Sequence, residues 1–413
     1  MNRPRNASVA FIMVTLLLDA LGVGLIIPVL PPLVTGFLAG DLAAGSRYYG
    51  IFIAVYAAMQ FVFAPILGGL SDRFGRRTVL LASLLGASLD YVLLAFAPNL
   101  AWLFVGRVIA GITGASYSAA TAYIADVTPP EKRTQSFGLL GAAGAIGFII
   151  GPALGGLLGG FHLRLPFILA AGLNLMNCLY GLVVLPESLS REHRRPFSFR
   201  RANPFSSLVN LGRHPVVLSL TSTLVCVFLG QNLIQVVWAL HSMAHFDWRE
   251  SDVGVSLTVF GVASALVQGG LIRVMMPRLG ERRAMMLGFM LHMIGAAAFG
   301  LATRGWMMYV ILIPYALGNI AGPAAQTLIT RVVGPSEQGE LQGSLMSLTS
   351  ITSIVGPLLG TNLFAHFSTK GAVPYIPGAA FFASAFLYAC ALLLAMRLFA
   401  RTPEAAPAST PAP

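Results

Sequence analysis

A glycine-rich apolar run occupies residues 138–156 and reads GLLGAAGAIGFIIGPALGG. A run with matching glycine and Gly-Pro positions, GSLMSLTSITSIVGPLLGT, lies 205 positions further along the chain, at residues 343–361. Two short basic segments, RFGRR at 73–77 and RLGER at 278–282, are separated by the same interval. Because two independent patterns repeat at one offset, the sequence indicates a tandem duplication.

The composition indicates the environment in which the two copies fold. Hydrophobic residues make up 56% of the 413 residues, charged residues make up 10%, and the mean hydropathy is +0.78. A soluble domain carries about 25% charged residues, so the sequence predicts a polytopic membrane protein. The net charge of +11 does not indicate nucleic-acid binding, because the basic residues fall in short clusters between apolar stretches.

Apolar stretches of about 20 residues, the length that crosses a bilayer, predict twelve membrane-spanning helices. They lie at residues 8–34, 48–70, 78–97, 100–124, 135–158, 166–185, 215–240, 251–276, 284–302, 305–332, 340–365 and 374–396. The predicted units are an N-terminal six-helix bundle at 1–185, a cytoplasmic linker at 186–214, a C-terminal six-helix bundle at 215–397, and a disordered Pro/Ala-rich tail at 398–413. Since six is an even number, both copies enter the membrane from one side, which predicts an all-α membrane protein of two parallel repeats.

The basic residues predict the orientation of these spans. Most of the 26 Lys and Arg residues fall on one side of the membrane if both termini lie on that side. The positive-inside rule therefore predicts that both termini are cytoplasmic. The first apolar segment is too long for a signal peptide and lacks a small-residue cleavage site, so we expect it to be a retained span.

Only two of the 15 acidic residues, Asp19 and Asp90, fall inside predicted spans. At a rise of 1.5 Å per residue, Asp19, Asp90 and Gln60 each lie roughly 17–18 Å from the start of their spans, near the bilayer midplane. A carboxylate there costs about 2.5–3.5 kcal/mol to insert, and such groups usually face a cavity or a proton relay. We therefore predict that Asp19 and Asp90 belong to a functional site.

Each of these polar residues has a structural alternative. The carboxylates could be hydrogen-bonded groups in helix packing, and Gln60 could be an amide that joins two helices. Arg107 is the one basic residue well inside a span. It could also extend its side chain to the membrane surface.

The sequence excludes several other sources of activity. Its two lysines, Lys132 and Lys370, do not follow a glycine-rich loop, so ATP hydrolysis through a P-loop is excluded. The three cysteines lie far apart in apolar runs and predict neither a disulfide framework nor a metal site. No nucleophile or phosphate motif indicates an enzyme, and we predict no cofactor.

Several motifs resemble a known family of transporters. The segment GGLSDRFGRR at 68–77 resembles the loop between helices two and three of the major facilitator superfamily, and the run at 138–156 resembles its antiporter motif. Within that superfamily, LLLDALGVGLIIPVLPPL at 16–33, GRVIAGITGA at 106–115 and HFDWRESDVGVSL at 245–257 resemble the tetracycline/proton antiporters. The resemblance covers most of the chain and is closer in the first half.

The resemblance implies a role for each of four groups of residues. Proton coupling is expected at Asp19, Asp90 and Arg107. The substrate cavity is expected to contain Gln60, Gln231, Ser264, His292 and Asn319. A cytoplasmic gate is expected at Gly68, Ser71, Asp72, Arg73, Gly75, Arg76, Arg77 and Asp126, where we expect Asp72 to form a charge-paired latch. The antiporter motif consists of Gly138, Gly147, Gly151, Pro152, Gly155 and Gly156, whose glycines predict close helix approach.

The second half departs from the pattern of tetracycline exporters. Ser264 stands where the family carries a histidine in helix eight, and His292 stands where it carries an aspartate in helix nine. Gly230, Gln231 and Trp238 belong to a helix-seven stretch that is one residue longer than the family's and lacks its proline. The departures put in question whether tetracycline is the substrate and whether the coupling stoichiometry is the usual one. His292 could titrate in place of the aspartate, or it could be a packed, neutral histidine.

The expected function is drug efflux across the bacterial inner membrane, driven by protons and working by alternating access. The resemblance implies that tetracycline travels as a chelate of a divalent cation. The alternatives are an exporter of another amphipathic drug or metabolite, and an uncoupled facilitator. We expect contacts with membrane lipid, no nucleic-acid partner and a monomeric protein.

Overall fold

The computed structural model describes residues 3–114, 117–198, 215–332, 338–369 and 371–401, which are predominantly helical and contain no strand. Eleven continuous helical stretches in these ranges are long and apolar enough to cross a membrane. One of them, Glu250–Leu301, has 52 residues, twice the length of a single span. It breaks at Gly280, where φ is +71°, so the described residues supply the twelve predicted spans.

The first repeat forms six spans from eight helices. The helices are α1 (Arg3–Ile26), α2 (Leu30–Gly36), α3 (Leu42–Phe74), α4 (Arg76–Phe96), α5 (Leu100–Gly114), α6 (Tyr117–Val127), α7 (Pro130–Phe161) and α8 (Leu165–Val184). The spans are α1, α3, α4, α5 with α6, α7 and α8. The Asp41 carboxylate accepts hydrogen bonds from the backbone N–H groups of Ala43 and Ala44 and so caps the start of α3.

The second repeat also forms six spans. Its helices are α9 (Pro215–Phe246), α10 (Glu250–Leu266), α11 (Ile272–Leu301), α12 (Gly305–Leu317), α13 (Ala321–Val332), α14 (Gln338–Phe367) and α15 (Ala379–Arg401). A π-helical turn, Val267–Leu271, connects α10 to α11, and a 3-10 turn, Gly318–Ile320, connects α12 to α13.

Equivalent glycines of the two repeats pack in equivalent places, which supports the duplication. A Cβ at Gly151 or Gly155 would overlap the backbone of α1. A Cβ at Gly356 or Gly360, 205 positions later, would crowd α9. In both repeats the glycine-rich helix therefore lies directly against the first helix of its own half.

The two halves meet on one side of the bundle and diverge on the other. We call the side on which α1 begins and α15 ends the terminus side. On the opposite side Gly156 faces the backbone of Gly254, and Ser46 Oγ lies 3.5 Å from the carbonyl oxygen of Thr361. Toward the terminus side, Gly141 and Gly144 of α7 have open space instead of a neighbouring helix. The central space between the halves therefore opens toward the terminus side.

Three predicted boundaries differ from the structure. The first span was predicted to run to residue 34, but α1 ends at Ile26 and a turn precedes α2, because the prolines at 28, 31 and 32 interrupt helical hydrogen bonding. Of the predicted linker, residues 186–198 are described and contain one 3-10 turn, Arg191–His193, while 199–214 lie outside the described residues. The predicted disordered tail is wrong at 398–401, which continue α15 with Leu398 buried; residues 402–413 lie outside the described ranges.

Candidate functional site

A cavity of about 570 Å³ lies between the two halves. Its charged lining comes from the first half and consists of Asp19, Asp90 and Arg107. The second half contributes neutral residues from α9 and α14: Asn232, Gln235, Val236, Ser353 and Pro357. The cavity is therefore electrostatically one-sided, with its ionisable groups on one repeat and neutral groups on the other.

Asp90 and Arg107 form an ion pair in the wall of this cavity. The Nη2 atom of Arg107 lies 3.4 Å from Oδ2 of Asp90, and the side chains are 4% and 2% exposed respectively. Gly106 lets α5 approach α4 at this point, since a Cβ there would lie 2.9 Å from Asp90 Oδ1. The burial of Arg107 contradicts the alternative in which its side chain extends to the membrane surface. A buried pair of this kind leaves a costly unpaired charge if either partner is removed.

Asp19 is half-buried and lines the same cavity, but it makes neither a hydrogen bond nor an ion pair with another described residue. Its position on α1 is fixed by α7: a Cβ at Gly147 would overlap the carbonyl oxygen of Leu17, and one at Gly151 would crowd that of Leu21. Asp19 is therefore a carboxylate on a tightly packed helix with its polar end directed into open space. Of the two membrane carboxylates, it is the one that forms no ion pair with a described cation.

Gln60 lines the cavity and also joins two helices. Its Nε2 donates to the carbonyl oxygen of Gly114 at 3.2 Å and to the hydroxyl of Tyr56 at 3.4 Å. The two roles that the sequence left open for Gln60 are thus compatible, since one face of the side chain bonds to α5 and the residue still borders the cavity.

The predicted cavity residues of the second half lie elsewhere. Gln231 lines a separate pocket beside the cavity, and Ser264, His292 and Asn319 are absent from the lining of both. Asn319 donates to Ser264 Oγ at 2.9 Å. His292 is buried between the rings of Tyr315 and Tyr388, with centroids 4.7 and 5.0 Å away. None of these four residues lines the central cavity beside Gln60 in this conformation, and their part in substrate binding stays a prediction.

Sequence reasoning missed Asn232 and Gln235 on α9. They are three positions apart, so they share a helix face with Val236, and all three line the cavity. Their spacing alone does not identify the face that meets the cavity, because the polar Gln231 lies one position before Asn232 on the same helix. Gln231, which the family resemblance places in the cavity, lines the neighbouring pocket instead.

On the terminus side, Arg76 joins several of the predicted gate residues. Its Nη1 lies 2.5 Å from Asp72 Oδ1 and donates to Ser71 Oγ at 2.6 Å, while its Nε lies 3.4 Å from Asp126 Oδ2. All of these groups belong to the first half. The charge pair expected of Asp72 is present, and among the described residues it does not reach the second half.

The remaining predicted gate residues lie around this network without joining it. Gly75 follows the last residue of α3 and has a φ of +103°. Residues with an L side chain rarely adopt this backbone conformation. Arg73 stacks over the ring of Phe74 at 5.0 Å, and Arg77 donates to the carbonyl oxygen of Leu182 at 2.6 Å. Gly68 faces Ser118, whose Oγ would lie 3.6 Å from a Cβ.

The linker supplies a residue that the sequence analysis did not single out. The Glu187 carboxylate accepts a hydrogen bond from the backbone N–H of Arg76 at 2.8 Å, and thereby satisfies the exposed start of α4. Its other oxygen lies 3.9 Å from Arg194 Nη2. Ser188 donates to Asp126 Oδ2 at 3.0 Å, so the start of the linker is bonded to the gate at two points.

The antiporter-motif glycines divide between two contacts. Gly147, Gly151 and Gly155 approach the backbone of α1, whereas Gly156 approaches Glu250 and Gly254 of α10 in the other half. Pro152 lies inside α7, and its carbonyl oxygen is the atom that a Cβ at Gly254 would strike. The expectation of close helix approach is wrong for Gly138, which has open space around it. The motif thus connects the helix that carries Asp19 to the contact between the halves.

The described residues form twelve spans in two repeats, a cavity between the halves with two carboxylates in its lining, and halves that meet on one side only. These features together define a secondary transporter. The family model of the Major Facilitator Superfamily matches residues 12–234 and 220–413. The chain belongs to that superfamily. It is a multi-pass transporter of the inner membrane that exports small molecules, and it is not an enzyme.

Among curated relatives, the chain is 43% identical over 382 residues to the tetracycline resistance protein, class C, of Escherichia coli, covering 91% of this chain and 95% of that one. It is 37% identical over 410 residues to the class H protein of Pasteurella multocida, covering 98% and 100%. A solved bacterial homologue of the human lysosomal transporter Spinster, inward-facing and unoccupied, matches with a TM-score of 0.77 at 17% identity over 98% of this chain and 100% of that one. The last likeness supports the fold alone.

Proposed function

We propose that the protein exports tetracycline or a similar drug in exchange for protons. The observation that carries the proposal is the unpaired Asp19 carboxylate, which faces the cavity beside the Asp90–Arg107 pair. Loss of its charge on protonation would change the net charge of the lining by one unit, so one cavity would bind drug and proton in turn. Membrane carboxylates that face a cavity are typical of such proton relays.

Both termini are cytoplasmic in this proposal, so the observed opening on the terminus side is the conformation that takes up drug from the cell. The drug would enter as its divalent cation chelate, since a lining with two carboxylates and one guanidinium favours a cationic ligand. Ser264 and His292 lie outside the described lining, so their departure from the family pattern removes no charge from it.

The direct test is uptake of tetracycline into inverted membrane vesicles under an imposed proton gradient. We expect uptake that collapses when a protonophore dissipates the gradient, and resistance to tetracycline in cells that express the protein. An uptake rate that is the same with and without the proton gradient would indicate an uncoupled facilitator instead. Resistance to other amphipathic drugs without resistance to tetracycline would support the alternative exporter.

The gate gives a second prediction. Replacing Asp72 by Asn removes the ion pair with Arg76 but keeps the size of the side chain. Asp72 lies near the surface with its side chain 43% exposed, and a surface ion pair contributes at most about 1 kcal/mol to stability, so we expect normal protein levels. We nevertheless expect the uptake rate to fall roughly fivefold, because about 1 kcal/mol of bias between two conformations changes their ratio by that factor.

Glu131→Gln is the matched control for this measurement, since Glu131 is exposed in the first turn of α7 on the same side. Equal uptake rates in vesicles that carry either variant would exclude a role for Asp72 in the gate.

A further inference from the structure

A second pocket of about 180 Å³ adjoins the central cavity. Its walls are largely aromatic and include Trp238, Phe260, Phe299 and Tyr315 of the second half. Gln235 lines both the pocket and the cavity, so the two spaces meet at this residue. A molecule in the central cavity could therefore extend into the pocket.

The aromatic walls are held in place by their own contacts. Trp238 Nε1 donates to Ser256 Oγ at 2.9 Å, and its ring meets that of Phe299 edge-on with centroids 5.1 Å apart. The hydroxyl of Tyr315 lies 3.0 Å from that of Tyr388. Because these rings are already fixed, a ligand would not bear the cost of ordering them.

Two amides provide the polar part of the lining. Gln231 and Gln235 are exposed and make no hydrogen bond with another described residue. Each can offer both a donor and an acceptor. The pocket thus combines an apolar space with free hydrogen-bonding groups, the usual composition of a small-molecule site.

We infer that this pocket binds one uncharged aromatic ring of the transported molecule, while the polar part of that molecule occupies the central cavity. This inference rests on the proposed drug efflux and specifies its substrate class. An apolar cavity of about 150 Å³ holds a benzene molecule, so the observed volume fits a single ring. Edge and face contacts with the surrounding aromatic side chains favour such a ring over an aliphatic chain.

The pocket also depends on the conformation of the transporter. Ile27 and Phe148 belong to the first half and complete the wall. When the halves rock apart on the opposite side, these two residues move away from α9 and α10. The ring would then lose part of its contact surface, which favours release on that side.

The test uses fluorescence of Trp238 and the probe 4-bromobenzamide, a neutral single ring whose bromine quenches tryptophan on contact. Replacing Trp102, Trp248 and Trp306 by Phe leaves Trp238 as the sole tryptophan. We expect saturable quenching in the detergent-solubilised full chain. Leu257→Phe fills the pocket with an extra ring and should weaken the probe's affinity at least about tenfold.

Leu89→Phe is the matched control, because Leu89 is 60% exposed on the surface of α4 and the substitution is the same. Leu312→Phe fills the pocket from α12 and replaces Leu257→Phe should the latter not fold. Non-saturable quenching, or equal affinity in the filling and control variants, would overturn the inference. Saturable quenching without any tetracycline uptake would support the inferred ring-binding pocket and contradict the proposed function. Tetracycline uptake without saturable quenching would support the proposed function and contradict the inferred pocket.

Discussion

Asp19→Asn is expected to lower proton-driven tetracycline uptake sharply while leaving the protein folded. Asparagine has the shape of aspartate but cannot release a proton, and Asp19 makes no bond to another described residue that the change would break. Proton transfer by a positioned group contributes about 10²–10⁴-fold to a rate, so we expect uptake to fall by about two orders of magnitude. Exchange of labelled for unlabelled drug at equilibrium should fall as well, because asparagine resembles the protonated carboxylate, the form that does not bind the cationic drug in the proposed cycle.

Asp41→Asn is the control for this result. Asp41 undergoes the same chemical change outside the cavity, at the start of α3, and asparagine caps a helix as well as aspartate does. Full proton-driven uptake by the Asp19→Asn variant would refute the assignment of Asp19. Exchange at the native rate without proton-driven uptake would mean that the carboxylate carries protons but does not contribute to drug binding, which contradicts alternate binding of drug and proton at one site.

Asp90 is the weaker candidate for the proton site because Arg107 already offsets its charge. In the buried pair, neutralising Asp90 leaves a guanidinium with no described anion at hydrogen-bond distance. Breaking a buried ion pair in this way costs about 3–5 kcal/mol, so loss of transport in an Asp90 variant would mix effects on folding and on coupling. Asp19 variants separate those two effects.

The sequence predicted the arrangement of the first half better than that of the second. Asp19, Asp90, Gln60 and Arg107 stand out because each interrupts an apolar span, and the structure brings them to one cavity. The glycines of α7 likewise indicated close helix approach, although not that α1 is the helix approached. These signals are local, since either the cost of burial or the absence of a side chain marks the residue.

The second half lacked such signals. Its spans contain several neutral polar residues, and nothing in a nearly uniform apolar helix says which face meets the cavity. His292 faces Tyr315 and Tyr388, whereas Asn232 faces the cavity, and the difference depends on how each helix is rotated against its neighbours. The bond from Glu187 to the start of α4 is similarly a tertiary contact over 111 positions, with no local mark in the sequence.

Gly254→Val is expected to shift the transporter away from the observed conformation. A Cβ at this position would overlap the carbonyl oxygen of Pro152 and lie 3.2 Å from Cα of Gly156, both in the other half. Backbone atoms cannot move aside as a flexible side chain would, and overpacking of this kind costs typically about 1–3 kcal/mol. The clash disappears when the halves separate on the opposite side, so the cost applies only to the observed conformation. We expect the population of that conformation to fall roughly tenfold. The rate of tetracycline uptake should fall by a similar factor, roughly tenfold.

The shift can be measured as a distance between spin labels on Phe161 and Trp306, which are exposed at the ends of α7 and α12 on the opposite side. We expect Gly254→Val to lengthen this distance in a chain whose native cysteines are replaced by serine. Gly172→Val is the control, because it places the same β-branched residue in a helix where a Cβ meets open space. The two halves must close at this glycine contact once in every transport cycle, so identical distances and uptake rates in both variants would mean that closure does not depend on it.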